Sequence, residues 1–428
     1  MLCTRCGKQN PGEVSYCAFC GSPVHESARP TGAQTRRVAL LSAILTLVLL
    51  VLAGAAWTSA CWYFAGRVRA HARTGATGAA VRVYSQFMKV SRRHRPELLL
   101  EIAASGLNAK QPWAREAAAD ALCELCSEHD TQVIRLLEEK MSSASEDYSL
   151  RIASRLAVLG RSRGVAKLCE LVVSPDPWTR RSAAETLFRY PRDDAVSALQ
   201  QGANDRRETV RAYAAGALVR LGEGKYRPIV LAALRSRDAD TRLCAAEVLA
   251  TLGDHGGMQV IKSALADESS CMTAISIARS LGTPSARDTL ARIAGNRSQG
   301  WSKGEAALAL GRLGDQRVVP ILKDMLQSAG NDPAWDWTSE WDHVEASRCL
   351  AALGYPEGLA GLRANLKKRA KDYIAIRAAA ALGVGAVRDS GSVRLLEEAL
   401  RDKPLRVKLT AAAALWRITS TPTGAGRH

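Results

Sequence analysis

Few aromatic residues and few strand-like patterns occur in this chain. Aromatic residues account for 5% of the 428 residues, and only four of them are phenylalanine. Strands are rich in aromatic and β-branched residues that alternate with polar ones. Such runs are scarce beyond the N-terminal segment. A core built from β-sheets is therefore not expected, and the chain is predicted to be all-α.

Residue clusters that could perform catalysis are also missing. The seven histidines are scattered, and the single His-Glu pair, His25-Glu26, lies in the N-terminal segment. The sequence contains no phosphate-binding loop, no nucleophile elbow and no HExxH motif. We therefore expect no catalytic residues, no enzymatic activity and no small-molecule substrate.

Acidic residues are absent from a long segment near the N-terminus. Between Ser27 and Pro96 there are eleven lysines and arginines and no aspartate or glutamate. The whole chain has a net charge of +17, but residues 97–428 contain 46 basic and 40 acidic residues and contribute only +6. Basic residues beside a membrane are attracted to anionic lipid head groups. The positive charge therefore favours a membrane surface, and nucleic acid is not an expected partner.

The cysteines include one regular cluster at the N-terminus. Cys3-x2-Cys6 and Cys17-x2-Cys20 are separated by a ten-residue spacer. Four thiolates at this spacing suit a tetrahedral Zn²⁺ site with no position open for catalysis, and iron is the alternative metal. The stretch CTRCGKQNPGEVSYCAFCG resembles the short zinc ribbons at the N-termini of many bacterial membrane proteins. We predict a structural zinc site, and the alternative is that the ribbon also docks a partner.

One stretch, Val38–Ala65, contains no charged side chain. About 20 apolar residues cross the hydrocarbon core of a bilayer, so this stretch is long enough for one span and too short for two. Trp57, Trp62 and Tyr63 lie near its C-terminal end, as in an interfacial aromatic belt. A cleaved signal peptide is disfavoured, because cleavage would discard the 37 residues before it. We predict a single-pass protein of the cell membrane.

Charge alone does not choose the orientation of this span, because arginines flank both of its ends. The cysteines provide a second criterion. A zinc ribbon needs reduced ligands, whereas the six cysteines scattered between Cys123 and Cys349 can remain as small buried apolar residues. We therefore expect the ribbon in the cytoplasm and the C-terminal part of the chain outside it.

Leucine-glycine pairs recur along the C-terminal part of the chain. The leucines of six successive pairs, from Leu221 to Leu382, are separated by 31, 29, 32, 40 and 29 residues, and Leu159 lies 62 residues before the first. A period of this length predicts an array in which each repeat buries its apolar face against its neighbours. Such arrays more often bind partners than catalyse reactions.

Each repeat is predicted to be a helical hairpin. In Asp205–Arg235, Val210, Ala214 and Leu218 fall on one face of a first helix. Gly222 is expected to end that helix in the left-handed conformation. The residues after Gly222 form a second short amphipathic helix.

The stretches ETVRAYAAGALVRLG, DADTRLCAAEVLATLG and KGEAALALGRLGDQRVVPIL resemble the HEAT-like repeats first named from phycobilisome lyases. The resemblance covers roughly residues 80–420 and implies a right-handed superhelix of helical hairpins, a HEAT-like solenoid. It is specific for architecture and weak for function. The predicted segments are a zinc ribbon (1–26), a linker (27–37), a transmembrane helix (38–65), a basic juxtamembrane segment (66–95), the repeat solenoid (96–420) and a tail (421–428).

One position of the first helix is basic in many repeats. In HEAT-type arrays, aspartates and arginines at similar positions form a ladder that links successive repeats, and we expect that structural role here. A basic groove for phosphates or acidic peptides is the alternative. The residues concerned are Arg115, Arg180, Arg211, Arg242, Lys303 and Lys408.

The 40-residue interval contains an acidic, tryptophan-rich insertion within Ser328–Val344, SAGNDPAWDWTSEWDHV. Insertions in solenoids form loops that often lie on a binding face, and tryptophan is enriched at binding hot spots. The alternative is that the tryptophans cover the neighbouring hairpin. The predicted partner-binding residues are Trp335, Trp337, Trp341, Asp336 and Glu340.

Taken as a whole, the sequence predicts a membrane-anchored scaffold that mediates protein–protein interaction through its repeats. The partner is expected to be a protein, with the membrane contacted through one helix. The alternative is a HEAT-repeat protein that is associated with nucleic acid or acts as a lyase-like enzyme.

Overall fold

The chain forms two compact units, Met1–Tyr63 and Phe64–His428. The structure, a computed structural model, describes residues 2–3, 5–12, 14–23, 32–91, 93–142, 145–267, 269–296, 300–327, 340–368 and 373–420, without the side chains of 32–44, 300 and 301. In these residues the regular structure is helical apart from two isolated β-bridges. The predicted all-α solenoid of helical hairpins is confirmed.

The α-helices of the described residues are α1 (Gly32–Arg73), α2 (Thr77–Ser91), α3 (Pro96–Ser105), α4 (Pro112–Leu125), α5 (Thr131–Met141), α6 (Glu146–Val158), α7 (Ser162–Leu171), α8 (Pro177–Arg189), α9 (Val196–Gly202), α10 (Glu208–Arg220), α11 (Arg227–Ala233), α12 (Ala239–Thr251), α13 (His255–Ala264), α14 (Cys271–Leu281), α15 (Pro284–Gly295), α16 (Gly300–Arg312), α17 (Val319–Gln327), α18 (Glu340–Ala352), α19 (Pro356–Leu366), α20 (Ile374–Ala386), α21 (Val393–Leu400) and α22 (Leu405–Thr419).

The first unit contains two cysteine-bearing loops and most of α1. Each loop is closed by an isolated antiparallel bridge, Leu2 with Gln9 and Tyr16 with Pro23. Along α1, the leucine and valine side chains between Leu45 and Leu52 are exposed. Among the described residues, this is the one helix that is long and apolar enough to cross a membrane.

Most first helices of the hairpins end at a left-handed glycine. Gly160, Gly222, Gly253, Gly314 and Gly354 have φ between 71° and 95°. In each case the N–H of the following residue bonds a carbonyl five residues earlier, at 2.8–3.0 Å. This is the Schellman motif, which requires a positive φ that glycine adopts without strain. The leucine-glycine period therefore reports the ends of the first helices.

The pair Leu382-Gly383 is an exception, because both residues lie inside α20, which ends at Ala386. The left-handed residue after this helix is Arg388, with φ 54°. Gly383 instead permits close packing, since a Cβ atom there would lie 2.9 Å from Cγ of Arg348. The same dipeptide therefore ends a helix in most repeats and brings two helices together in this one.

The hairpins of the second unit stack in two layers. The first helices are the even-numbered helices from α4 to α22, and each packs against the next even-numbered helix. The second helices, α5 to α21, make few contacts with one another. Because neighbours approach more closely on the inside of a curved array, the first helices form the inner layer. They are rich in alanine, which allows this close approach.

The inner layer closes on itself. The last first helix, α22, packs against α3 and α4 as well as against α20. Leu409 of α22 lies so close to Gly106 that a Cβ there would be 2.8 Å from its Cδ1. Arg417 Nη1 lies 3.0 Å from Asp130 Oδ2, and both side chains are largely buried. The start and the end of the repeat array are therefore in direct contact.

The segment 66–95, predicted as juxtamembrane, contains the end of α1 and all of α2. Helix α2 packs against α3 and α22, beside the closure of the array. Its Tyr84 side chain bonds His94, whose other ring nitrogen lies 2.8 Å from Glu397 of α21. These residues thus belong to the second unit.

The basic position of the first helices serves mainly local contacts. At four of these positions, Arg115, Arg180, Arg211 and Arg242, Nη1 donates to the carbonyls five and six residues earlier, at 2.9–3.0 Å. Of the four, Arg180 also bonds the next repeat, through Asp205 at 2.7 Å. At these four positions the expected ladder has one link between repeats, and the arginines chiefly bond carbonyls of the loop before each first helix.

Candidate functional site

The four N-terminal cysteines lie on two similar loops. Gly7 N–H donates to the Cys3 carbonyl and Gly21 N–H to the Cys17 carbonyl, both at 2.9 Å. Both glycines have positive φ, which turns each chain sharply after its second cysteine. The two loops therefore direct their four sulfur atoms towards one point.

The sulfur positions fit a metal ion. Sγ of Cys3 lies 3.6 Å from Sγ of Cys20, and Sγ of Cys6 lies 3.6 Å from Sγ of Cys17. All four sulfurs lie within 4.8 Å of one another. Metal–sulfur bonds of about 2.3 Å in a tetrahedron place sulfurs about 3.8 Å apart. The four cysteines can therefore hold one tetrahedral metal ion.

Backbone hydrogen bonds favour the ligand form of one of these thiols. The N–H of Phe19, with that of Cys20, lowers the pKa of Cys17 to about 6 although burial opposes the shift. A thiolate is the form of cysteine that binds a metal. The hydrogen bonds of the loop therefore favour the form of Cys17 that coordinates a metal.

A groove runs along the inner face of α18, between α16 and α20. Its volume is about 530 Å³, within the range of ligand-binding pockets. Trp341, Glu345, Arg348 and Ala352 line it from α18. These residues are four, three and four positions apart, so they form one stripe of the helix. We call this feature the α18 groove.

Charges in the α18 groove are arranged around a buried carboxylate. Glu345 accepts hydrogen bonds from Arg312 at 2.7 Å and from Arg348 at 2.9 Å. Arg348 also pairs with Glu124 of α4, on the other side of the closure. Burial raises the pKa of Glu124 although Arg348 opposes the shift. The groove thus has two guanidinium groups that remain partly exposed and are neutralised by two carboxylates.

The remaining lining of the groove is apolar. Ala352 and Leu353, at the end of α18 and directly after it, line the groove together with Ala386 and Val387, at the end of α20 and directly after it. At the opposite end of the stripe, the Trp341 side chain is 45% exposed. Apolar side chains of a ligand would therefore contact either end, and polar groups would contact the arginines between them.

A second buried carboxylate ties the inner layer together elsewhere. Glu247 of α12 is 1% exposed and accepts bonds from Arg189, Tyr213 and Ser280, at 2.7–2.8 Å. These three donors lie on α8, α10 and α14. Since the carboxylate is fully paired, it has a structural role and offers no free group to a ligand.

The predicted partner-binding residues have different outcomes. Trp341 lines the α18 groove, whereas Glu340 pairs with Lys368 after α19. Trp335, Trp337 and Asp336 lie outside the residues that the structure describes. Partner binding by all five residues remains a prediction.

The charged residues of the groove were not found from the sequence. Glu345 and Arg348 follow Trp341 at helical spacing, which is the signal that could have placed them on the same face. Arg312 belongs to the preceding first helix and is brought to Glu345 only by the stacking of repeats. No pattern within one repeat could have assigned it to the groove.

Two family models match parts of the array: HEAT repeats at residues 198–282, and PBS lyase HEAT-like repeat at residues 303–328. The resemblance inferred from the sequence is confirmed for these residues. No curated protein sequence matches the chain.

Three solved structures are similar to this chain. One is human deoxyhypusine hydroxylase in complex with glycerol, with 20% identity, coverage of 68% of this chain and 96% of that chain, and a TM-score of 0.31. A second is the S. pombe condensin Cnd3-Cnd2 subcomplex, with 14% identity, coverage of 79% and 57%, and a TM-score of 0.29. The third is an engineered protein, with 18% identity, coverage of 74% and 96%, and a TM-score of 0.16.

Proposed function

We propose that this protein is a membrane-anchored HEAT-repeat scaffold that binds a segment of a partner protein in the α18 groove. The observation that carries the proposal is the groove itself, in which an exposed tryptophan, Arg348 and an apolar end follow one face of α18, and Arg312 is added from α16. The activity proposed is binding rather than catalysis.

The shape of the groove supports a peptide-like occupant. The stripe from Trp341 to Ala352 covers eleven helical steps, or about 16 Å at 1.5 Å per residue. An extended segment of about five residues has that length. Apolar side chains would pack at the two ends of the groove, and carbonyl or carboxylate groups would accept hydrogen bonds from Arg312 and Arg348. The tryptophan and the two arginines are residue types enriched at binding hot spots.

Helix α1 is the proposed anchor, and the N-terminal loops are the proposed zinc ribbon. The apolar side chains of α1 between Leu45 and Leu52 are exposed to the surroundings, and lipid is the environment that would bury them. We propose zinc rather than iron as the structural metal of the four thiols. Zinc would stabilise these loops, which bury little apolar surface. The ribbon would lie in the cytoplasm and the repeats outside it.

Affinity isolation of the full-length protein from detergent-solubilised native membranes tests the groove. We expect a specific protein to be retained by the wild type and to be lost when Ala352→Trp fills the groove. Trp341→Ala should weaken the complex about thirtyfold, since a hot-spot tryptophan contributes about 2 kcal/mol.

Val158→Trp provides the matched control. Val158 and Ala352 each precede the leucine of a leucine-glycine pair, and Val158 is exposed at the end of α6, outside the groove. The partner should remain bound to this variant. Equal retention by all three variants would refute a role for the groove, and so would the absence of any specifically retained protein.

Metal analysis of the purified full-length protein tests the ribbon. We expect one zinc ion per chain in the wild type and none in Cys6→Ser, because three thiolates hold zinc much less tightly than four. Cys169→Ser, at a half-buried cysteine of α7, should keep its zinc. Stoichiometric iron in place of zinc, or zinc retained by Cys6→Ser, would contradict the proposal.

A further inference from the structure

Four arginines on two neighbouring loops are exposed and have no side-chain partner among the described residues. Arg206 and Arg207 precede α10, and Arg235 and Arg237 lie one repeat later, before α12. We call these four residues the arginine patch. They are distinct from Arg180, Arg211 and Arg242, whose guanidinium groups bind loop carbonyls.

The loops that bear the patch are held side by side. Arg180, at the start of α8, bonds Asp205 of the next loop at 2.7 Å. Ser236 of the loop after that donates to Glu208 at 2.6 Å. Successive repeats lie about 10 Å apart, as packed helices do. The two arginine pairs of the patch are therefore about 10 Å apart on one edge of the array.

Asp205, Glu208 and Asp238 have partners within the fold, whereas the side chains of the four arginines have none in the described part of the chain. Asp205 is paired with Arg180, and Glu208 lies near Arg211 and accepts from Ser236. Asp238 caps α12, and its bonds from Thr241 lower its pKa, so it remains ionised in this role. These acids serve the fold. The positive charge of the patch is left for a ligand.

Two large apolar side chains lie one loop before the patch. Val173 is 55% exposed, and Trp178, at the start of α8, is 63% exposed. The guanidinium group of Arg181 lies 5.8 Å from the centre of the Trp178 ring. Arg181 itself donates to Cys244, whereas the unpaired arginines of the patch lie on the next two loops. Tryptophan and arginine are both enriched at protein interfaces. The N-termini of α8, α10 and α12 point to the same edge and add partial positive charge.

We infer that the arginine patch, with Trp178 and Val173, binds an acidic segment of a partner protein. Guanidinium groups bind carboxylates through paired hydrogen bonds, and two pairs about 10 Å apart match acidic residues about three positions apart in an extended chain. An aliphatic or aromatic side chain of the same segment packs on Trp178. This surface is separate from the α18 groove. Binding at the arginine patch therefore does not depend on binding in the groove.

A protein segment fits this edge better than a nucleic acid does. A phosphate backbone carries a charge at every step, so it would also approach the exposed carboxylates of Glu208, Asp238 and Asp240, which follow the arginines in the chain. A peptide can place its acids opposite the arginines alone. Base stacking would need several exposed rings in a row, and on these loops the one such ring is Trp178.

Fluorescence anisotropy with the full-length protein in detergent tests the inference. The probe is a fluorescein-labelled acidic peptide with two glutamate pairs, separated by about 10 Å of extended chain and flanked by a leucine. We expect binding that weakens with salt. We expect two double variants each to weaken peptide binding about tenfold: Arg206→Ala with Arg207→Ala, and Arg235→Ala with Arg237→Ala. Trp178→Ala should weaken peptide binding at every salt concentration.

The control pair is Arg163→Ala with Arg394→Ala, which removes two exposed arginines of α7 and α21. This variant should bind the probe as the wild type does. Since the patch arginines have no partner in the fold, both patch variants should keep the wild-type unfolding temperature. The inference would be overturned if the wild type did not bind the peptide, or if the control pair lost as much affinity as the patch variants. It would also be overturned if the wild type bound an oligothymidine more tightly than the peptide and the patch variants lost that binding.

Discussion

Carboxylates of the inner layer differ in whether they have partners. Glu247 accepts four hydrogen bonds, two of them from Arg189, and stabilises contacts among four first helices. Glu305 of α16 is half-buried and has no ion-pair or hydrogen-bond partner among the described residues. Burial raises its pKa, although nearby Arg312 opposes the shift. Glu247 therefore joins four helices through its hydrogen bonds, whereas burial disfavours the ionised form of Glu305.

The unpaired carboxylate predicts a stabilising substitution. The folded pKa of Glu305 lies above its unfolded value, so the ionised side chain costs stability above the folded pKa, and that cost disappears as the pH falls below about 4. We expect Glu305→Gln to raise the unfolding temperature at pH 8 and to have no effect near pH 4. Thermal unfolding followed by circular dichroism provides the measurement.

Glu139→Gln is the control for this substitution, because Glu139 is an exposed carboxylate on α5. It should leave the unfolding temperature unchanged at both pH values. A lower unfolding temperature for Glu305→Gln at pH 8 would mean that the ionised carboxylate has a stabilising partner after all.

The left-handed glycines predict a second effect of single residues on stability. A Cβ at Gly222 would meet no atom within 4 Å, so the cost of Gly222→Ala arises from its φ of 95° alone. That cost is about 1 kcal/mol. Gly224, two residues later, is equally open but lacks a positive φ, and Gly224→Ala should not destabilise the protein. Urea unfolding of both variants measures the difference, and equal stabilities would contradict the Schellman role of Gly222.

At the scale of helices, the sequence predicts ends and faces well within one repeat. The first helix of Asp205–Arg235 ends before Gly222, as its leucine-glycine pair indicates. Helix α20 departs from the pattern because Arg388 takes the left-handed position. The dipeptide at Leu382-Gly383 is the same as elsewhere, so local sequence could not distinguish a helix end from a packing contact. The positions of Arg348 on α18 and Leu362 on α19 explain why a glycine is needed there.

The α18 groove shows the same division between local and long-range information. Trp341 could be identified from the interrupted repeat period and lies in the groove. Two of the charged residues around it come from other helices: Arg312 from α16 and Glu124 from α4. Side chains of different helices meet through the stacking of repeats, and a periodic pattern in one helix contains no information on that stacking.

At the scale of the whole molecule, the closure of the repeat array is the feature that the sequence did not predict. Arg417 and Asp130 are 287 residues apart, and Arg348 and Glu124 are 224 residues apart. Contacts of this kind depend on the summed rotation between many successive hairpins, to which each repeat contributes a small angle. A solenoid was predictable from the period, whereas its closure was not.

Because the array is closed, we expect a destabilising substitution in its last helix to destabilise its first helices as well. Leu409 of α22 is fully buried against the segment that follows α3. Leu409→Ala should cost about 2–5 kcal/mol and should raise amide hydrogen exchange in α3 and α4, although these helices lie about 300 residues earlier in the chain. Mass spectrometry of the full-length protein measures this exchange.

The control for closure is Leu322→Ala, at an equally buried residue of α17. In an array coupled through nearest neighbours, it should raise exchange mainly in α16 to α18. If amide exchange in Leu409→Ala rose only in α20 to α22 and stayed unchanged in α3 and α4, the array would be open in solution.

Binding of a partner protein in the α18 groove at the membrane can be tested by photo-crosslinking in the native cell, with benzoylphenylalanine in place of Trp341. The control position is Trp113, which is exposed at the second residue of α4 just as Trp341 is at the second residue of α18. We predict one discrete protein adduct from position 341, absent from position 113 and abolished by Ala352→Trp. No adduct from position 341, or the same adduct from both positions, would contradict the account.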